Sequence, residues 1–181
     1  MKSILMSIRP EWCKKIFDGE KTIEVRKTRP KLEPPFEVLV YMTKPKPYLA
    51  TIIKEGDNLY GEIYHGKTLF FKSDRHYYNR NYITMEQRVI GSFICDRIDE
   101  IEPDLEYYSD GYDIDDDRLA ETCLTREQLR EYGNGVTLYG WHITEPKLFD
   151  KPRELGEFFD RKGEPIKRAF QSWGYCYGQK N

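Results

Sequence analysis

The residues with chemistry in them are Lys21, Thr22, Glu24 and Arg26. They bring an amine, a hydroxyl, a carboxylate and a guanidinium into one short segment. In an extended strand successive side chains alternate, so Thr22, Glu24 and Arg26 share a face, about 7 Å apart at roughly 3.3 Å of rise per residue. Lys21 stands at the strand mouth. Such a row holds a phosphate or a base edge: the cations make charge-assisted bonds, and Glu24 accepts from an exocyclic amine, as carboxylates do with cytosine. A lysine beside a carboxylate also suits general acid–base work, including cleavage of an RNA backbone by its own 2′-hydroxyl. The same pattern is equally that of a solvated strand face with a Glu24/Arg26 surface pair, worth under about 1 kcal/mol.

The flanking sequence supplies the elements that must position this row. Ile4 to Ile8 is short and apolar, as a buried strand requires. Pro10 opens a helix over about 10–18, where its missing N–H costs nothing. Glu11 lies near the positive end of that helix, and Lys14 and Lys15 near the negative end. Trp12, Cys13, Ile16 and Phe17 have the spacing of one buried face, and Gly19 ends the helix in a turn that favours φ > 0. Ile23 and Val25 then point away from Glu24 and Arg26.

The segment SIRPEWCKKIFDGEKTIEVRK at 7–27 resembles the signature of the ASCH family, whose G-x-K-x-x-x-x-R core falls on Gly19, Lys21 and Arg26. VIGSFICDRID at 89–99, YGWHI at 139–143 and FQSWGY at 170–175 follow in the order seen in phage and prophage members. The resemblance spans nearly the whole chain, with one insertion. It implies an α+β fold: a small PUA-like β-barrel flanked by short helices, with a cleft beside the first helix. It also implies RNA binding, with Lys21, Thr22, Glu24, Arg26 and Lys44 as the binding residues, Lys44 standing at a strand end beside the cleft. A few members are enzymes, and some small ones hydrolyse acetylated cytidine with a lysine, a threonine and a glutamate. Lys21 matches that lysine, and Glu121 is the nearest counterpart of the glutamate. The threonine position is occupied by Glu24, and a carboxylate does not replace an attacking hydroxyl. If this chain is an enzyme, Lys21, Glu24 and Glu121 are the catalytic candidates.

Composition sets the bounds. The chain has 181 residues, which suits one domain over 1–181. Its net charge of −2 gives no global attraction for nucleic acid, so an RNA site must be a local basic patch. Lys14, Lys15, Lys21, Arg26, Lys27, Arg29 and Lys31 form one, while acid gathers between Asp96 and Asp117. The four cysteines make no C-x-x-C pair, so zinc spacing is absent and neither metal nor cofactor is expected. Free core thiols fit a reducing, cytoplasmic setting. No apolar run reaches the ~18 residues of a membrane span, and the N-terminus reads directly as a first strand rather than a targeting segment.

The remaining elements follow from local signals. Glu37 to Met42 and Val89 to Ile101 read as strands, the second central, with Gly91 marking a bend or a close approach. Residues 45–88 read as an inserted hairpin or extended loop. Its Tyr48, Tyr60, Tyr64, Tyr77, Tyr78 and Tyr82, with Lys72, Arg75, His76, Arg80 and Arg88, suit base stacking or simple cover for the barrel. The acidic run at 103–117 is no calcium loop: counted from Asp113, Arg118 takes the glycine position and Leu124 the glutamate position. Helices are expected at about 117–123 and from Thr125, where Gln128 completes a capping box, with Leu129 and Tyr132 inward. Val136 to Ile143 reads as a strand and Pro152 to Phe159 as a short helix. Gln171, Ser172 and Trp173 close the fold or lend an amide and an indole to the cleft. The leading function is recognition of single-stranded RNA, a nucleotide or a modified nucleoside. The alternatives are a nucleoside amidohydrolase or RNase, and a protein-interaction module built on the tyrosine-rich insertion.

Overall fold

The computed structural model describes residues 2–43, 49–55, 58–63, 67–70, 83–84, 87–104 and 111–177. The chain opens with β1 (Lys2–Ile8), α1 (Pro10–Phe17), β2 (Ile23–Arg26) and β3 (Phe36–Met42). Then come β4 (Leu49–Glu55), β5 (Asn58–Ile63), β6 (Lys67–Phe70) and β7 (Ile83–Thr84). β8 (Arg88–Ile101), α2 (Asp116–Thr122), α3 (Arg126–Gly133), β9 (Leu138–Arg153) and β10 (Trp173–Tyr177) complete it.

The main sheet has six strands in the order β10-β1-β3-β8-β9-β2. Only β1 and β3 run parallel. One face of this sheet carries Ile4, Met6 and Ile8 of β1, Val38, Val40 and Met42 of β3, and Trp141 and Ile143 of β9, and α1 packs Cys13 and Ile16 onto it. Trp12 and Phe17 are half-buried at the margin of the same core. On the opposite face, Leu5, Leu39 and Val89 are covered by Phe158 and Ile166. Ile23 and Val25 of β2 are covered by Leu129 of α3. Period-two alternation on β1 and β3 thus builds an apolar layer on each face, and on β2 it sets Ile23 and Val25 into one core and turns Glu24 and Arg26 to the other side.

Among the described residues the sheet is not closed into a barrel by backbone pairing; it ends at β10 and β2. Side chains bridge these two edges instead. The Trp173 indole donates to the Thr28 hydroxyl at 3.0 Å, and the Tyr175 hydroxyl accepts from the Lys31 N–H at 2.9 Å. Trp173 also packs against Trp141, with ring centres 5.6 Å apart.

Three expectations need correction. The insertion is neither a lone hairpin nor a loop: its described strands form a second, antiparallel sheet in the order β6-β5-β4-β7. Tyr48, Tyr64, Tyr77, Tyr78, Tyr82, Lys72, Arg75, His76 and Arg80 lie outside the described residues. The helix over 152–159 shrinks to a single tight turn at Leu155–Glu157, because β9 continues to Arg153, which pairs with Val89 of β8. The central strand expected over Val89 to Ile101 forms, but not as a regular strand of uniform alternation. Register shifts interrupt its pairing with β9, and Ile90 enters the same core as Phe93 and Cys95.

Candidate functional site

Lys21, Glu24 and Arg26 converge on the floor of an open cleft of about 1030 Å3. α1 contributes Trp12 to its wall, α3 contributes Gln128, Glu131 and Tyr132, and the segment before β10 contributes Gln171 and Ser172. Arg9, Lys27, Thr28 and Thr43 also line it. The floor is largely buried: relative exposure is 2% for Lys21, 6% for Glu24 and 8% for Arg26.

Glu24 lies between the two cations. Its Oε1 is 2.8 Å from Nη2 of Arg26, and its Oε2 is 3.3 Å from Nζ of Lys21. Lys21 also donates to the carbonyl of Thr122 at 2.5 Å. Thr122 is the last residue of α2, so the ammonium sits at the negative end of that helix, the favourable place for a cation. The rest of the local frame is backbone: the Thr22 N–H donates to the Glu121 carbonyl, and the Ile143 N–H donates to the Thr22 carbonyl. Arg26 donates through Nη2 to the Ser7 carbonyl at 2.9 Å and through Nη1 to the Ser172 hydroxyl at 3.3 Å. It therefore reaches from β2 to the far edge of the sheet.

Burial pushes the Lys21 ammonium below its usual pKa, and the Glu24 carboxylate pulls in the opposite direction. The Trp12 ring, 5.2 Å from Lys21 Nζ, adds a cation–π contact. Beneath the floor, burial drives the Cys13 thiol well above its usual pKa, with the charge of Glu24 adding to the effect. One carboxylate set against two cations leaves the floor with a net positive charge. Such a floor has the charge and donors to hold an anion or a polar edge, and a lysine whose pKa is lowered beside a carboxylate can exchange protons.

Of the other residues read from the sequence, Thr22 does not line the cleft; its hydroxyl is buried without a partner among the described residues. The Glu121 side chain is exposed and is not part of the cleft wall, so it does not join Lys21 and Glu24. Lys44 lies outside the described residues. Tyr132 does not face the core: it is 38% exposed, lines the cleft, and has the Lys27 ammonium 5.3 Å above its ring. His142 lies away from the cleft, with Nε2 2.8 Å from Asp99, which also binds Arg118. Sequence reasoning missed Trp12, Gln128 and Tyr132 as wall residues. No signal set them apart: Trp12 and Tyr132 have the spacing of buried stripes, and Gln128 reads as a capping residue. Among the described residues no group of His, Cys, Asp and Glu is arranged to hold a metal ion, and no helix is long and apolar enough to cross a membrane.

Residues 6–91 match the family model of the ASCH domain. The matched span is just under half of the chain. Crystal structures of ASCH from Zymomonas mobilis share its fold: the native protein aligns at TM-score 0.56 and 17% identity, covering 96% of this chain and 86% of that one. A tyrosine-to-phenylalanine mutant of the same protein aligns at TM-score 0.56 and 17% identity, covering 97% of this chain and 90% of that one. The likeness is one of fold, PUA-like and mixed α and β. No match was found among curated proteins. The ASCH family is associated with RNA binding.

Proposed function

We propose that this protein binds RNA by taking one unstacked base of a single strand, or a free nucleoside, into the cleft. The observation that carries this reading is the buried Lys21–Glu24–Arg26 floor, positive overall and walled by Trp12 and Tyr132. Recognition of single-stranded RNA rests on bases that stack against aromatic side chains and bond through their edges. The cleft offers both kinds of contact, and Arg9 and Lys27 at its margin are placed for the phosphates. The net charge of −2 agrees with a local site rather than a general polyanion binder.

Titration of labelled single-stranded RNA at several salt concentrations tests the proposal. Affinity should fall as salt rises, by a slope that counts the phosphates contacted. Lys21→Ala and Arg26→Ala should each weaken binding by about 1–3 kcal/mol. Unchanged affinity in both folded variants would remove the site from this cleft. One observation favours a second reading, acid–base cleavage of the bound RNA: the lowered pKa of Lys21 beside Glu24. Loss of full-length labelled RNA over time, abolished by Lys21→Ala, would establish that reading.

A further inference from the structure

The floor has a hydrogen-bonding order, and that order selects a base. Glu24 uses a different oxygen for each cation, Oε2 for Lys21 and Oε1 for Arg26, so the carboxylate stands between two donors. Each group keeps bonding capacity. An ammonium has three N–H groups; Lys21 commits one to the Thr122 carbonyl and one to Glu24, which leaves one. A guanidinium has five; Arg26 commits Nη2 to Glu24 and the Ser7 carbonyl and one Nη1 hydrogen to Ser172, and with Nε buried this leaves the second Nη1 hydrogen for a ligand. A carboxylate accepts about four bonds, and each oxygen of Glu24 is engaged once. The unused capacity therefore reads donor, acceptor, donor across the floor.

The complementary edge reads acceptor, donor, acceptor. Uracil has that edge in O2, N3–H and O4. Cytosine presents two acceptors and then a donor, and so leaves one cation of the floor unmatched. Guanine presents one acceptor followed by two donors, and adenine a donor beside an acceptor; neither engages both cations through acceptors while giving Glu24 a hydrogen. We infer that the cleft is selective for uracil, or for another base with an imide edge, through pairing of Glu24 with N3–H and of Lys21 and Arg26 with the flanking carbonyls. This rests on the proposal that the cleft holds a base, and it replaces the earlier expectation that Glu24 accepts from a cytosine amine.

Because Glu24 lies between two buried cations, its replacement risks the fold, so the primary test varies the ligand. Uridine, cytidine and 3-methyluridine are titrated into the full-length protein, with Trp12 as a fluorescence reporter, and oligouridylate is compared with oligocytidylate. Uridine should bind at least roughly tenfold more tightly than cytidine, since each well-matched pair of bonds discriminates at about that level. 3-Methyluridine, which has a methyl group in place of the N3 hydrogen, should lose most of that advantage. Equal binding of uridine and 3-methyluridine, or a preference for cytidine, would overturn the uracil assignment and leave the base-binding reading standing. Binding of neither nucleosides nor either oligonucleotide would overturn both. Glu24→Gln, assayed only if circular dichroism matches the wild type, should bring uridine and cytidine to within about twofold of each other, because an amide both donates and accepts. A folded Glu24→Gln variant that keeps the full preference would also refute the assignment.

Discussion

Lys21 is a cation lodged where water is excluded, and its charge depends on Glu24 and on the end of a helix distant in sequence. Its pKa is lowered in the folded state, so between that value and 10.5 the unfolded chain holds more protons and stability from this group rises with pH. Below that window its desolvation opposes folding in full. Denaturant titrations of wild type and Lys21→Met across alkaline pH should show the wild type gaining stability relative to the variant as pH climbs toward 10.5. A second expectation concerns chemistry. With Glu24 in place of an attacking hydroxyl, acetylcytidine should be turned over weakly or not at all; rapid release of acetate, abolished in Lys21→Ala, would contradict this. The face shared by Glu24 and Arg26 was legible from alternation alone. The burial of Lys21 was not, because its partner, the Thr122 carbonyl, is 101 residues away and is backbone that any residue could supply.

Among the elements, β8 shows most clearly where local rules give out. Its existence and extent followed from its apolar run, but the register shifts against β9 depend on pairing that no single strand encodes. Gly91 explains part of this arrangement. A Cβ there would lie 2.3 Å from the Lys147 carbonyl oxygen and 2.8 Å from the Phe17 ring, so α1 and β9 both close onto bare backbone. Gly91→Ala should cost about 1–3 kcal/mol, the usual range for overpacking, measured as a lower urea midpoint with an unchanged slope. α3 was read correctly at its start, where Thr125 and Gln128 form the reciprocal cap. Thr125→Ala should lower stability by about 1 kcal/mol, seen in the same urea titration. The inward stripe of α3 proved narrower than expected. Leu129 and Gly133 fill it, and Gly133 lets the Tyr112 ring approach. Tyr132, one position off that stripe, is left to the cleft.

For the molecule as a whole, the thiols report how the layers are distributed. Cys13, Cys95 and Cys176 are buried, and Cys123 is half-exposed. Burial raises the Cys95 and Cys176 thiols to about 12, and Cys13 well above its ordinary value. Iodoacetamide at neutral pH should therefore modify Cys123 in the native protein and all four cysteines after denaturation, as counted by intact mass. The general architecture of strands and helices was legible because four motifs and their alternation specify it. The missing closure was not, because whether two edges of a sheet pair or merely approach is decided by the curvature of the intervening strands.

The manner of closure has a consequence for how such a sequence can drift. Main-chain ladders accept almost any substitution that keeps the apolar alternation, so the middle of the sheet is open to neutral change. The join between β2 and the β1–β10 edge depends on the identities of Arg26, Ser172, Trp173, Thr28 and Tyr175, while Ser7 and Lys31 contribute only backbone groups. The side-chain pairs Arg26–Ser172 and Trp173–Thr28 are the ones that change only in concert. Because Arg26 belongs to that set, purifying selection on folding alone would hold half of the cleft's cationic floor in place across lineages that had abandoned its ligand. A retained arginine here testifies to the architecture, and the carboxylate at Glu24 becomes the more informative mark of what a given descendant still binds.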